Sequence, residues 1–169
     1  LKDKIIRLPN NIRIPQKTVD IHGITNERML EEGEPIDDVL NSFVRDVSSC
    51  TYLIGHNLSF DQTMIEVECI RNKHKRLSDY RKILFCTMKQ SKNVCCIEKK
   101  NYYTKKMEYK YPKLIELHKH LFNTSPENLH NSLIDVLVCF RCFYALSYDL
   151  DPMETNPQFA RYCRLHCGL

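Results

Sequence analysis

The chain has 169 residues, of which 43% are hydrophobic and 27% are charged, and this composition supports one globular domain with its own core. Only 4 glycines and 7 prolines are present, which excludes a collagen-like or low-complexity chain, and a formal net charge of +4 does not by itself indicate an acidic partner. No apolar run approaches the ~20 residues that cross a bilayer, so we expect no membrane segment.

The first part of the sequence predicts short extended segments followed by two helices. Residues 4–14 are expected to form a strand, a turn at residues 9–11 and a second extended piece. Thr25 is a suitable N-cap for a short helix that ends near Gly33. Pro35 then favours the start of a longer helix, because the apolar residues after it recur with helical spacing as far as Val47.

Short apolar strands alternate with helices over the rest of the domain, which we place at residues 1–146. The predicted elements are a buried strand at 51–55, a helix that opens at 59–61, a strand at 82–86 and helices at 111–122 and 130–146. This alternation is typical of an α/β fold with a mixed or parallel sheet. Residues 147–169 are expected to form a tail or a short helix that packs on the domain.

The nine cysteines favour a reducing intracellular compartment, either cytoplasmic or nuclear. Their number is odd, and they fall mostly in apolar stretches where cysteine acts as a small buried hydrophobe. The alternative is a zinc site built from Cys139, Cys142, Cys163 and Cys167, with His166 between the last two. Because Cys139 and Cys142 lie in a segment that predicts a buried helix, the sequence favours the first interpretation.

Neither helical nor strand periodicity is visible between residues 88 and 110. This segment contains seven lysines and two glutamates, which give a net charge of +5, and Tyr102, Tyr103 and Tyr109 lie among them. Lysines with interleaved aromatic rings suit a nucleic-acid strand, since the charges neutralise phosphates and the rings stack on bases. A solvated loop or hairpin without a ligand explains the same composition.

Two polar segments contain residue types that serve in catalysis or metal binding. Residues 55–61 (GHNLSFD) join a predicted buried strand to a helix, and ligands of open α/β sheets bind beyond the carboxyl ends of strands. Asp61 is therefore a candidate site residue, although an aspartate in a first helical turn also stabilises the helix dipole. Residues 130–135 (HNSLID) place Asp135 in an apolar helix, where an unpaired buried carboxylate is costly and requires a cation or a metal. His130 can converge with Asp135 only if it precedes the helix, and a lone histidine there is more often structural.

In their order and spacing, these motifs resemble those of the DEDDh family of 3′–5′ exonucleases, which contains the proofreading subunit of bacterial DNA polymerase III. Residues 21–25 (IHGIT) resemble the loop with which the family contacts the terminal nucleotide. Residues 55–61 resemble the second exonuclease motif, and His130-x4-Asp135 resembles the third. The resemblance covers roughly residues 3–146, and it implies an RNase H-like mixed sheet flanked by helices.

The resemblance also implies a reaction, namely hydrolysis of phosphodiester bonds at DNA or RNA 3′ ends with two Mg²⁺ or Mn²⁺ ions. Asp61 and Asp135 would be catalytic metal ligands, and His130 would deprotonate the attacking water. The residues implied to contact the end nucleotide are Ile21, His22, Asn57 and Phe60. Such a domain would act in proofreading or DNA repair, beside a polymerase or another upstream domain.

One departure from the family concerns its first motif, Asp-x-Glu, which occurs nowhere in this sequence. This motif should precede residues 21–25 by some tens of residues, so the sequence, which begins at Leu1, is expected to lack the first one or two strands. We therefore expect no catalysis by this chain alone. Two alternatives stay open: a non-catalytic nucleic-acid-binding module of the same fold, and an interaction domain with no nucleic-acid role.

Overall fold

The structure, a computed structural model, describes residues 1–127, 129 and 131–169 and shows a mixed α/β protein that is 57% helical with a small sheet. The described chain divides into two compact units. One unit comprises Leu1–Leu53 and Gln62–Ile83, and the other comprises Ile54–Asp61 and Leu84–Leu169. Among the residues that the structure describes, no helix has the length and apolar character that crossing a membrane requires.

Three helices follow one another in the first unit: α1 (Gln16–His22), α2 (Asn26–Glu32) and α3 (Ile36–Ser49). The Thr25 hydroxyl accepts a hydrogen bond from the Arg28 N–H at 3.1 Å, and Gly33 ends α2, which confirms the predicted start and end of this helix. Pro35 immediately precedes α3, and Val47 is buried on its inner face, which also agrees with the prediction.

The prediction of a strand within residues 4–14 is wrong. Ile6 forms one isolated parallel bridge with Glu34, and no longer ladder forms among these residues. Glu34 lies between α2 and Pro35, so the partner segment offers hardly more than one residue, and proline has no N–H to extend a ladder. The turn is present, because the Ile12 N–H donates to the Pro9 carbonyl at 2.9 Å.

Strands β1 (Tyr52–Gly55) and β2 (Ile83–Cys86) form a two-stranded sheet, as their apolar sequences predict. Helix α4 (Leu58–Arg71) follows β1 after a short turn. The extensive mixed sheet that the resemblance implies is not shown, since the described residues form only this pair and one further two-stranded sheet.

A short 3-10 helix, Leu77–Tyr80, lies in the first unit, and the elements after β2 belong to the second unit, where most of them are helices. They are α5 (Thr87–Gln90), α6 (Lys92–Cys95), β3 (Glu98–Lys100), β4 (Met107–Tyr109), α7 (Leu114–Phe122), α8 (Ser132–Tyr148), α9 (Pro152–Thr155) and α10 (Pro157–Cys167). The core is built on α8, with Leu137, Val138 and Cys142 packed against Leu117 of α7. Cys163 of α10 belongs to the same core, so the C-terminal tail packs on this unit.

A buried polar network lies beside this core. The guanidinium of Arg141, a residue only 8% exposed, bonds both carboxylate oxygens of Asp151, with Nε–Oδ1 at 3.0 Å and Nη2–Oδ2 at 2.5 Å. The Arg141 Nη1 atom also donates to Nε2 of the fully buried His118 at 3.0 Å. The His118 ring is therefore neutral, and its Nδ1–H donates to the Thr124 carbonyl at 3.0 Å.

The free energy of unfolding is expected to fall when the pH is lowered from about 7 through the lowered pKa of His118. Burial lowers the pKa of His118, and the charge of Arg141 lowers it further, although the Thr124 carbonyl and Asp151 act in the opposite direction. The unfolded chain therefore binds more protons than the folded one in this range, which costs up to about 1.4 kcal/mol per pH unit for one proton.

Chemical denaturation at a series of pH values measures this slope. His118→Gln should make the dependence of the unfolding free energy on pH less steep. Part of the slope should remain, because burial also lowers the pKa of His56, which contributes with the same sign. His120→Gln is the matched control, since His120 is an exposed histidine on the same helix. A slope that His118→Gln leaves unchanged would contradict the prediction.

Candidate functional site

The first part of the candidate site is the turn between β1 and α4. Asn57 has a left-handed backbone with φ +67°, a conformation that asparagine tolerates better than most residues, and its carbonyl accepts from the Phe60 N–H at 2.8 Å. Gly55 lies close to this turn, because a Cβ there would come within 3.0 Å of Leu58 Cδ1. The turn leads directly into α4, so Asp61 lies in the first turn of this helix.

His56 anchors this turn to the rest of the second unit. Its Nε2 lies 3.0 Å from the Pro112 carbonyl oxygen, which can only accept, so Nε2 carries the proton and donates. Its Nδ1 lies 3.0 Å from the hydroxyl of Thr87, a residue with no solvent exposure. Burial lowers the pKa of His56, against the Pro112 carbonyl and the charge of Asp135, which both raise it, and this favours a neutral ring.

The second part of the site is the start of α8. The Asn131 side chain caps the helix by accepting from the Leu133 N–H at 3.0 Å and from the Ile134 N–H at 3.5 Å. This cap fixes the first turn of α8, in which Asp135 lies half-buried.

Asp61 and Asp135 act electrostatically on the same buried thiol. Burial is the main reason why the pKa of Cys139 is raised to about 11, and the negative charges of both aspartates raise it further. A hydrogen bond with Thr87, whose hydroxyl lies 3.6 Å from Cys139 Sγ, acts in the opposite direction. Thr87 therefore links the turn before Asp61, through His56, to Cys139 on the helix that carries Asp135.

The carboxyl group of Asp61 is exposed to solvent, yet nearby protein atoms partly desolvate it and raise its pKa, while a backbone hydrogen bond lowers it. A divalent cation would counteract this desolvation, because positive charge favours the ionised carboxylate. Carboxylate oxygens are also the donors that Mg²⁺ and Mn²⁺ prefer, and Mg²⁺ is commonly held by one or two carboxylates together with water and substrate phosphates. Asp61 and Asp135 thus fit as part of a metal site.

The described residues do not complete a metal site by themselves. Within residues 1–127, 129 and 131–169, no group of three or more histidine, cysteine, aspartate or glutamate side chains is arranged to hold a metal ion. The four cysteines of the alternative zinc site are among these residues, and all four are free and buried. His130, the predicted general base, lies outside the described residues.

The residues predicted to contact substrate belong to both units. Asn57 and Phe60 are exposed beside Asp61 in the second unit, where Phe60 is 61% exposed. Ile21 and His22 lie in the first unit, where Ile21 is 60% exposed and His22 Nδ1 accepts from the Ile24 N–H at 2.9 Å. These two residues end α1 instead of lying in a loop.

Thr87, which was not among the predicted site residues, contacts both parts of the candidate site. It directly follows β2, so the rule that ligands bind beyond the carboxyl ends of strands could have drawn attention to it. Its apolar neighbours and lack of charge gave no other signal, and its contacts with His56 and Cys139 depend on the tertiary fold.

Comparison of the chain with known proteins gives no match to a family model, to a curated protein or to a solved structure. The assignment of a function therefore depends on the motifs and on the arrangement of the residues around Cys139.

Proposed function

We propose that this chain forms the major part of an RNase H-like 3′–5′ exonuclease domain that hydrolyses phosphodiester bonds at nucleic-acid 3′ ends. The observation that carries the proposal is that Thr87 contacts both His56, in the turn before Asp61, and Cys139, one turn after Asp135 on α8. These contacts bring together segments whose aspartates are 74 positions apart in the sequence. The order of the motifs adds support, because each aspartate belongs to a segment that resembles a motif of the DEDDh family.

Each residue has a distinct task in this proposal. Asp61 and Asp135 would hold divalent ions, which when bound neutralise charge on the phosphate and activate water. His130 would accept the proton of the attacking water, since histidine titrates near neutral pH. His56 positions the turn that carries Asp61, through its hydrogen bonds with Thr87 and the Pro112 carbonyl.

The carboxylates of an Asp-x-Glu motif are also part of the proposed reaction, and this sequence contains no such pair. They would be supplied by residues outside this sequence, on strands that extend the small sheet. Hydrolysis is therefore expected of a protein that supplies them and not of the isolated chain.

The test is incubation of the full-length natural protein with 5′-labelled oligonucleotides of DNA and of RNA, in Mg²⁺ or Mn²⁺. We expect shortening from the 3′ end with release of 5′-mononucleotides, and complete loss of activity in EDTA. The combined Asp61→Asn and Asp135→Asn variant should be inactive. Degradation from the 5′ end, activity that persists in EDTA or a fully active double variant would contradict the proposal.

The absence of Asp-x-Glu favours a second candidate, a non-catalytic nucleic-acid-binding module of the same fold. This module would bind oligonucleotides with an affinity that falls steeply with salt concentration, and it would hydrolyse none of them even as the full-length protein. The same incubation separates the two functions.

A further inference from the structure

The lysine-rich segment between residues 88 and 110 contains an ordered antiparallel hairpin. Strands β3 and β4 pair with Glu98 opposite Tyr109 and Lys100 opposite Met107. Asn101 organises the tip, because its side-chain oxygen accepts from the N–H groups of residues 103 and 104 at 2.9 and 3.0 Å. The tip therefore has a defined conformation although its side chains are exposed.

Two tyrosines project from this tip into solvent. Tyr102 is 78% exposed and Tyr103 is 88% exposed, and their ring centroids lie 5.4 Å apart with the planes nearly perpendicular. The Nζ atom of Lys105 lies 4.5 Å from the centre of the Tyr102 ring. Exposed rings of this kind are available to stack on the bases of a nucleic acid.

The four lysines and two glutamates of the hairpin give it a net charge of +2, and its lysines are not held in ion pairs with any described residue. Lys99, Lys100, Lys105 and Lys106 are exposed, and none of them forms an ion pair within the described part of the chain. Glu108 lies opposite Lys99 but accepts a hydrogen bond from the Asn101 side chain at 2.8 Å. By contrast, Lys110 at the base of the hairpin pairs with Glu116.

We propose that this hairpin, residues 98–109, binds single-stranded nucleic acid. The four lysines would contact consecutive phosphates, and Tyr102 and Tyr103 would stack on bases. A single strand fits better than a duplex, because only unpaired bases expose the faces that the rings require. The role in catalysis rests on the proposed function, since the hairpin would hold the strand whose 3′ end is hydrolysed, but binding itself does not depend on hydrolysis.

Fluorescence anisotropy with a labelled oligothymidylate of about 15 nucleotides, in EDTA, measures this binding without cleavage. The double variant Tyr102→Ala and Tyr103→Ala should weaken binding by at least about tenfold, whereas Tyr102→Phe and Tyr103→Phe should retain it because the rings remain. Circular dichroism checks that each variant folds.

A second set of variants tests the charges. Changing the four hairpin lysines to glutamine should reduce the slope of log K against log salt concentration by up to about 2.8, at about 0.7 per phosphate contact on a single strand. The control variant removes the same charge from exposed positions outside the hairpin. Its four substitutions are Lys17→Gln, Lys73→Gln, Lys119→Gln and Arg161→Gln.

The proposal is overturned if the alanine variant binds like the wild type, or if the two charge variants behave alike. It is also overturned if a blunt-ended duplex binds as tightly as the single strand. The same holds if the hairpin substitutions weaken binding to phosphatidylserine vesicles but leave binding to the oligonucleotide unchanged. Since the measurement is made in EDTA, failure of the proposed nuclease leaves its result unchanged. Conversely, a hairpin that does not bind leaves the hydrolysis assay on Asp61 and Asp135 intact.

Discussion

Replacing Asp151 with alanine is expected to destabilise the protein by about 3–5 kcal/mol, because the substitution leaves the Arg141 guanidinium buried without a counter-ion. The Cζ atom of Arg141 lies 3.9 Å from the centre of the Phe122 ring, so the guanidinium cannot easily turn towards water. Burial alone would raise the pKa of Asp151, but the hydrogen bonds from Arg141 and the Met153 N–H, together with the charge of Arg141, lower it below its usual range. Urea denaturation measures the effect.

Two further variants separate the charge of Asp151 from its other role. Its Oδ1 atom also accepts from the Met153 N–H at 3.0 Å and caps α9, a contact that Asp151→Asn retains. Combining Asp151→Ala with Arg141→Met should cost less than the sum of the single substitutions, because no charge then remains buried. Strict additivity would contradict this coupling.

The control for this experiment is an exposed pair of the same chemistry. Arg28 and Glu32 lie four residues apart on α2 with N–O at 3.0 Å, and both side chains are about half exposed. Glu32→Ala should therefore cost no more than about 0.5 kcal/mol. A cost similar to that of Asp151→Ala would show that burial does not decide the outcome.

Replacing His130 with alanine in the full-length natural protein is expected to lower the rate of 3′-end hydrolysis by on the order of 10²–10⁴, the usual contribution of a general base. Oligonucleotide binding should be retained, because the proposed base acts on water and does not hold the strand. Single-turnover hydrolysis with saturating enzyme measures the chemical step separately from binding.

His120→Ala is the matched control for the catalytic experiment, since His120 is exposed on α7 and has no role in the proposed mechanism. Its rate should equal that of the wild type. An unchanged rate for His130→Ala would remove this residue from the mechanism. If Asp135→Asn nevertheless abolished hydrolysis, the metal-ligand proposal would stand with a different base.

The sequence predicted those elements whose ends carry strong local signals. Thr25 and Gly33 mark the two ends of α2, and residues 132–148 form the helix predicted at 130–146. Helix α1 was not predicted, although Pro15 precedes it and Gly23 ends it with φ +73°, because Val19 and Ile21 are weak helix formers. The hairpin at 98–109 was only one of the alternatives, since its strands consist mainly of charged residues.

The candidate site was predictable only in part. Asp61 and Asp135 could be nominated from local sequence, since one follows a strand and the other interrupts an apolar helix. The contacts of His56 could not be predicted, because its partners are distant in the sequence. Thr87 lies 31 positions after His56, and Pro112 lies 56 positions after it. Whether distant segments meet is decided by packing of the whole unit, on which local patterns carry no information.

The sulfur chemistry of this chain is governed by its packing. Six of the nine thiols are buried, and Cys142, Cys163 and Cys167 have no solvent exposure at all. Peroxides and alkylating reagents attack thiolates that they can reach, and burial both blocks access and raises the pKa of Cys142. The frequency with which the second unit opens therefore limits how quickly oxidants damage these sulfurs, whereas Cys96, the exposed thiol, is open to attack in the folded protein.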